Sequence, residues 1–251
     1  MVTYMNDLEY ADRYVAFLDI LGFSEITRRA HNDVEWRSFL RGIIRQIKDT
    51  LPTKNDKMSF RFVNFSDSIV ISAKQDREGL VTVIQACEIL VTNLMQRGIL
   101  LRGGIAAGNL HHDDEILFGP GLLDAYAFEQ QGGPPHIGLH PSVLMGMENS
   151  IFDEGSLLHL VAEDPWDLTP ILDVFYTFQE YDPSKPYAGM VVWEEPARRI
   201  ADIISKNVAD AQHPPAVRSK WRWVEDYWNR SVSVKLILPT TDVRKTSNWS
   251  Q

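Results

Sequence analysis

The first half of the chain predicts an α+β fold built on a single sheet. Apolar runs rich in β-branched and aromatic residues recur at RYVAFLD, MSFRFVNF, SIVISA and ILLRGGIAAG. Between them lie two longer stretches whose apolar residues repeat every three or four positions. In chain order these read strand, helix, strand, strand, helix, strand. That is the βαββαβ order of a ferredoxin-like palm, a sheet with helices packed on one face.

Each element has its own justification. Arg13 to Asp19 is the first strand, and Gly22 permits the turn after it. From Ser24 to about Thr50 the spacing of Trp36, Phe39, Leu40, Ile43, Ile44 and Ile47 predicts one helix, ended by Pro52 and the polar TKNDK. MSFRFVNF and SIVISA, separated only by Ser66 and Asp67, predict a tight hairpin. Gly79 to Gln96 is apolar on most faces and predicts a buried helix. ILLRGGIAAG is the next strand, its paired glycines suiting close backbone approach. NLHHDDE reads as a polar loop, ILF as a short strand, and PGLLDAYAFEQQ as a helix with proline in its first turn. GGPP breaks the chain before HIGLHPSVLMGM, a strand and a short helix. Further on, SLLHLVAED and ILDVFYTF predict strands, Pro196 to Ala211 and Ala216 to Val232 predict helices, and TTDVRKTSNWSQ reads as a frayed tail. The expected organisation is one domain over 1–150 and a mixed extension over 151–251 packed on it.

Composition narrows the function. The 251 residues carry a formal net charge of -9, which argues against coating nucleic acid but leaves a nucleotide substrate open, since metal ions can supply positive charge. The lone Cys87 excludes an internal disulfide and sits in an apolar helical run, consistent with a reducing, cytoplasmic setting. The N-terminus has no apolar signal core, and no stretch reads as long and apolar enough to span a membrane.

Two carboxylates stand out because they end runs that should be buried: Asp19 after YVAFL and Asp67 in NFSDSIVIS. Either one alone is an ordinary cap or turn residue. In the predicted topology they meet. Two carboxylates about 4 Å apart repel by roughly 4 kcal/mol at an effective dielectric near 20, which protonation or a divalent cation relieves. Hard cations prefer such oxygen ligands, and paired aspartates on palm strands suit two-metal phosphoryl chemistry. ILGFS then offers backbone N–H groups at a helix start, a phosphate-binding feature.

The stretches FLDILGFSEI, NFSDSIVIS, LRGGIAAG and FGPGLLDAYAFE, in that order, resemble the class III nucleotide cyclases over the first half of the chain. The resemblance implies that Asp19 and Asp67 are metal ligands, joined by the Ile20 carbonyl, and that Gly22, Phe23 and Ser24 line the phosphate site. The family's purine-reading lysine and aspartate fall here on Val63, beside Asn64, and near Ile116; neither is present. The helix LLDAYAFE lacks the family's asparagine and arginine, which leaves Arg61 and Arg102 as candidates to neutralise phosphate charge.

This pattern is similar to the pyrimidine cyclases of bacterial Pycsar antiphage defence. That likeness implies a homodimeric uridylate cyclase, with Mn²⁺ or Mg²⁺, whose cyclic nucleotide acts on a separate effector protein. Asn64 would face the base, and Asp124, Tyr126 and Glu129 would reach the partner's site. A cytidylate cyclase and a catalytically inactive nucleotide sensor are the alternatives. HHDDE reads as a solvated hairpin tip, VRSKWRWVEDYWN as a core-packing helix, and His136 and His140 have no assigned role.

Overall fold

Strand β1 (Ala11–Ile20) is flanked on both sides by long antiparallel neighbours, β4 (Ser68–Lys74) and β5 (Leu101–His112). The structure, a computed structural model, describes residues 9–51, 54–55, 59–149, 157–179, 191–233 and 236–238. The predicted frayed tail and the first eight residues lie outside the described residues.

The other strands are β2 (Lys54–Asn55), β3 (Phe60–Phe65), β6 (Leu117–Phe118), β7 (Ile137–Leu139), β8 (Val161–Glu163) and β9 (Pro170–Leu172). They join one sheet in the order β2-β3-β4-β1-β5-β7-β9-β8, with β6 paired to β5. The central β3-β4-β1-β5 block has the ferredoxin-like order. β7 adds in parallel to β5, and β9 and β8 of the C-terminal region extend the same sheet.

The helices are α1 (Phe23–Asn32), α2 (Val34–Thr50), α3 (Arg77–Met95), α4 (Pro120–Gln130), α5 (Pro141–Asn149), α6 (Val191–Ala209) and α7 (Pro215–Ser231). The pleat of β1 separates two cores. Tyr14, Ala16, Leu18 and Ile20 join the large core with Ile43, Ile47, Leu90 and Trp228. Val15 instead joins a small core with Val70, Ala106, Leu110 and Ala125 of α4. The expected one-sided helix layer is therefore amended: α4 packs on the opposite face.

Other differences have local causes. The helix expected from Ser24 to Thr50 is two helices, because Asp33 is extended (φ -125, ψ 122) and its carboxylate accepts from Glu35 N and Trp36 N. The strands expected around 156–164 and 171–178 are short, with 3₁₀ turns at Leu158–Leu160 and Tyr176–Phe178. The helix expected from Pro196 begins at Val191, with the proline inside it. In the expected polar loop NLHHDDE, Asn109 to His112 belong to β5, and only the residues after them turn. Helix α3, with 19 residues and a mean hydropathy of 1.3, meets the length and composition of a membrane span after all; 67% of that window is buried, as befits a core helix. Cys87 lies inside it, fully buried, and burial raises its thiol pKa.

Candidate active site

Asp19 stands opposite Ser68 on β4 and opposite Arg102 on β5. The Ile20 N–H donates to the Asp67 carbonyl at 2.9 Å, so the end of β1 is tied to the β3–β4 turn. That turn is two residues long, with Ser66 at φ 57. The two predicted aspartates, far apart in sequence, thus come together. Burial, then the charges of Asp67 and Glu129, push the Asp19 carboxyl up to about 6, against the opposing charges of Arg102 and Lys220.

The chain leaves β1 through Leu21, whose N–H donates to Leu100 O at 2.9 Å, and Gly22 at φ 80. This left-handed conformation suits glycine, and nothing would meet a Cβ there within 4 Å. Helix α1 then starts at Phe23 with no side-chain cap on its N-terminus. The N–H groups of Phe23 and Ser24 belong to the first turn, where no intrahelical acceptor exists. Gly22, Phe23 and Ser24 therefore form an anion-compatible helix start within a few residues of Asp19.

Arg102 shares the face of Asp19. Its guanidinium donates to Glu129 of α4 at 2.8 Å, with side chains only 13% and 16% exposed. Its Nε is buried with no partner among the described residues. Glu129 and Tyr126 both make contacts within their own chain: the Tyr126 ring meets Phe17, two residues before Asp19, edge-on at 4.9 Å. Asp124 is exposed on the same helix. Arg61 faces Ser72, four residues along β4 from Ser68, or about 13 Å.

Asn64, expected to face the base, lies on the sheet face opposite Asp19. It pairs with Ile69 of the large core, and its amide donates to Ser68 O at 3.1 Å and Ser66 O at 3.4 Å, bracing the hairpin. The neighbouring Val63 pairs with Val70 and shares the Asp19 face. Ile116 lies in the β5–β6 turn, where its N–H donates to Asp113.

Two features escaped the sequence reading. One is Lys220 of α7, whose charge bears on both Asp19 and Arg102. The other is a hub on the fully buried Asp164, which receives Trp223 Nε1 at 3.0 Å and Trp166 N at 2.7 Å, and lies 2.8 Å from His136 Nδ1. The only sequence signal for Lys220 is a lysine amid the apolar stripe of α7.

The donor set fits a hard divalent cation. Asp19 and Asp67 would offer it carboxylate oxygens from one strand end, and the charge of Asp67 already bears on Asp19. Among the described residues no group of three or more His, Cys, Asp or Glu is arranged to hold a metal, so backbone and substrate oxygens would complete the shell, as is usual for Mg²⁺.

No protein-family model matches the chain, and no curated protein sequence is significantly similar to it. Solved structures do resemble it. The monomeric guanylyl cyclase domain of the RhoGC fusion protein from the aquatic fungus Blastocladiella emersonii is 14% identical over 56% of this chain and 86% of that one, with a TM-score of 0.41. An adenylate/guanylate cyclase/hydrolase from Silicibacter pomeroyi is 18% identical over 65% of this chain and 95% of that one, with a TM-score of 0.35.

Proposed function

We propose that this protein is a metal-dependent nucleotide cyclase that converts UTP to 3′,5′-cyclic UMP and pyrophosphate. The observation that carries the reading is the juxtaposition of Asp19 and Asp67 at one strand end, beside the uncapped start of α1. The ordered motifs of the first half support it. Bound divalent cations, Mn²⁺ or Mg²⁺, would lower the pKa of the ribose 3′-OH and stabilise the departing pyrophosphate. Asp19 and Asp67 would hold them, with the Ile20 carbonyl. The N–H groups of Phe23 and Ser24 would orient the phosphates, and Gly22 would leave them room. Arg102, once Glu129 yields, would meet charge developing on the α-phosphate.

The pyrimidine assignment rests on the absent purine readers. Val63, on the carboxylate face, offers no hydrogen bond to a purine edge. A cytidylate cyclase fits the same face. The exposed Val63, Phe65, Leu123 and Tyr126 support a second copy of the chain as partner on this side. By likeness to the pyrimidine cyclases, the product would act on a separate effector in antiphage defence.

A second reading, a nucleotide sensor without turnover, is favoured by the pairing of Arg102 with Glu129. The deciding experiment incubates the protein with each of ATP, GTP, CTP and UTP plus Mn²⁺, beside Asp67→Ala. Cyclic UMP that is absent from the variant supports the proposal. Cyclic CMP reassigns the base, a purine product removes the defence role, and tight binding without any product favours the sensor.

A further inference from the structure

We infer that Lys220, in the C-terminal extension, is a phosphate-binding residue of this site, acting in its own chain; the inference rests on the nucleotide reading above. Helix α7 buries Trp223, Val224, Tyr227 and Ser231, which lie three, four, seven and eleven residues beyond Lys220. With Trp221, Glu225 and Trp228 also buried, these spacings put the half-buried Lys220 within the face that α7 turns inward, to one side of its centre. A half-buried ammonium on this face is stabilised by an anionic counterpart.

Successive turns of α7 meet successive strands. Tyr227 Oη donates to Leu172 O at the end of β9 (3.2 Å). One turn earlier, the Trp223 indole lies against His136, just before β7, with ring centroids 5.7 Å apart. His136 in turn accepts from Gly103 N of β5 at 3.0 Å, beside Arg102. All three points lie at the end of the sheet where β1 finishes at Asp19. Continuing the line by one more turn runs toward the ends of β5 and β1 that carry Arg102 and Asp19.

The charges agree with this placement. Lys220 lowers the Asp19 carboxyl, while burial and Arg102 press the ammonium below the ordinary lysine range and Asp19 opposes them. Arg102 is neutralised by Glu129, so Lys220 is the cation at this strand end with no hydrogen-bond or ion-pair partner among the described residues. A triphosphate lying between the start of α1 and the carboxylates would meet its ammonium. The ligand class is the polyphosphate of a nucleoside triphosphate, which the ammonium would contact as a point charge.

The test measures binding of inorganic tripolyphosphate with Mn²⁺ by calorimetry, because this probe carries the phosphates without a base. Lys220→Met, which keeps the aliphatic stem, is expected to weaken binding by about 10- to 100-fold. Lys220→Arg should recover most of it. Arg218→Met, which removes a charge from the same helix, should bind as wild type. Lys220→Gln provides a second neutral variant should Lys220→Met fold poorly. Undiminished binding in a folded neutral variant overturns the role of Lys220, whatever the cyclase assay gives. Wild-type protein that binds no tripolyphosphate overturns it as well. Wild-type protein that binds tripolyphosphate but cyclises none of the four triphosphates overturns only the cyclase reading.

Discussion

Arg102 and Glu129 are joined by a 2.8 Å ion pair that links β5 to α4 beside Asp19. The pair is largely removed from water, so its two halves are unequal in what they leave behind. Without Arg102, Glu129 loses its ion-pair partner beside the Asp19 carboxyl. Arg102→Met is therefore expected to destabilise the fold by about 3 kcal/mol. Glu129→Gln should lose only about 1 kcal/mol, since the amide oxygen still accepts. Urea denaturation measures both. The double variant should be more stable than Arg102→Met alone, and equal stabilities would show that the stranded carboxylate is not the cause.

The Asp19 carboxyl, raised from 3.8 to about 6, gives metal binding a pH dependence. Below about 6 a divalent cation must displace a proton, so Mn²⁺ affinity should fall by roughly tenfold per pH unit there and level off above it. Without metal the sign for stability is set by the same shift. The folded state holds this proton longer than the unfolded one, so stability declines as pH rises from 3.8 to about 6. Glu129→Gln removes a neighbouring negative charge and should move the midpoint down. Calorimetric Mn²⁺ titrations between pH 5 and 8 read this directly.

His112 should dominate a separate acid transition. Its Nδ1 lies 2.8 Å from Ser72 Oγ, which also accepts from Arg13 Nε at 2.9 Å. Burial, then Arg13 and Arg61, hold its pKa down from 6.5 to about 4. The neutral ring is favoured by the fold, so this contribution is complete above pH 6.5 and is lost as pH falls toward about 4. The loss should amount to about 2–3 kcal/mol. His112→Gln should flatten that limb of the stability profile.

Phe128 anchors α4, and with it Glu129, in a slot floored by two glycines. Gly104 of β5 and Gly138 of β7 are register partners, and both lie beneath the Phe128 ring. A methyl at Gly104 would stand 2.5 Å from Phe128 Cδ2. Gly104→Ala is expected to destabilise by about 1–3 kcal/mol and to loosen the Arg102–Glu129 pair. Thermal melts and crystal structures of the variant would check both effects.

Asp33 separates α1 from α2 by capping the second helix, with 2.7 Å to Glu35 N and 3.2 Å to Trp36 N. Asp33→Ala should lose about 1 kcal/mol. Asp33→Asn, which can still accept, should lose less in the same denaturation assay.

The central block was legible because its strands carry strong β-branched patterns and its hairpin has no room for a longer loop. Order and loop length then dictate that Asp19 meets Asp67. The face occupied by α4 was not legible, since PGLLDAYAFEQ is apolar on several sides and gives no single stripe. The face of Asn64 was not legible for a related reason. FRFVNF has large apolar residues on both faces, so alternation alone does not say whether Val63 or Asn64 shares the side of Asp19. Asp164 reads in sequence as the last residue of the expected strand SLLHLVAED. Its partners His136 and Trp223 are 28 and 59 residues away. Such long-range polar convergence has no local signature.

The central position of β1 dictates the order in which the molecule can be completed during synthesis. β1 emerges early, yet its partner β5 ends only at His112, so the sheet cannot close until then. Asp19 and Asp67 can meet earlier, once β4 pairs with β1. The cation on α7 arrives about a hundred residues after His112. A nascent chain halted after α6 would hold Asp19 and Asp67 without the charge of Lys220 beside them.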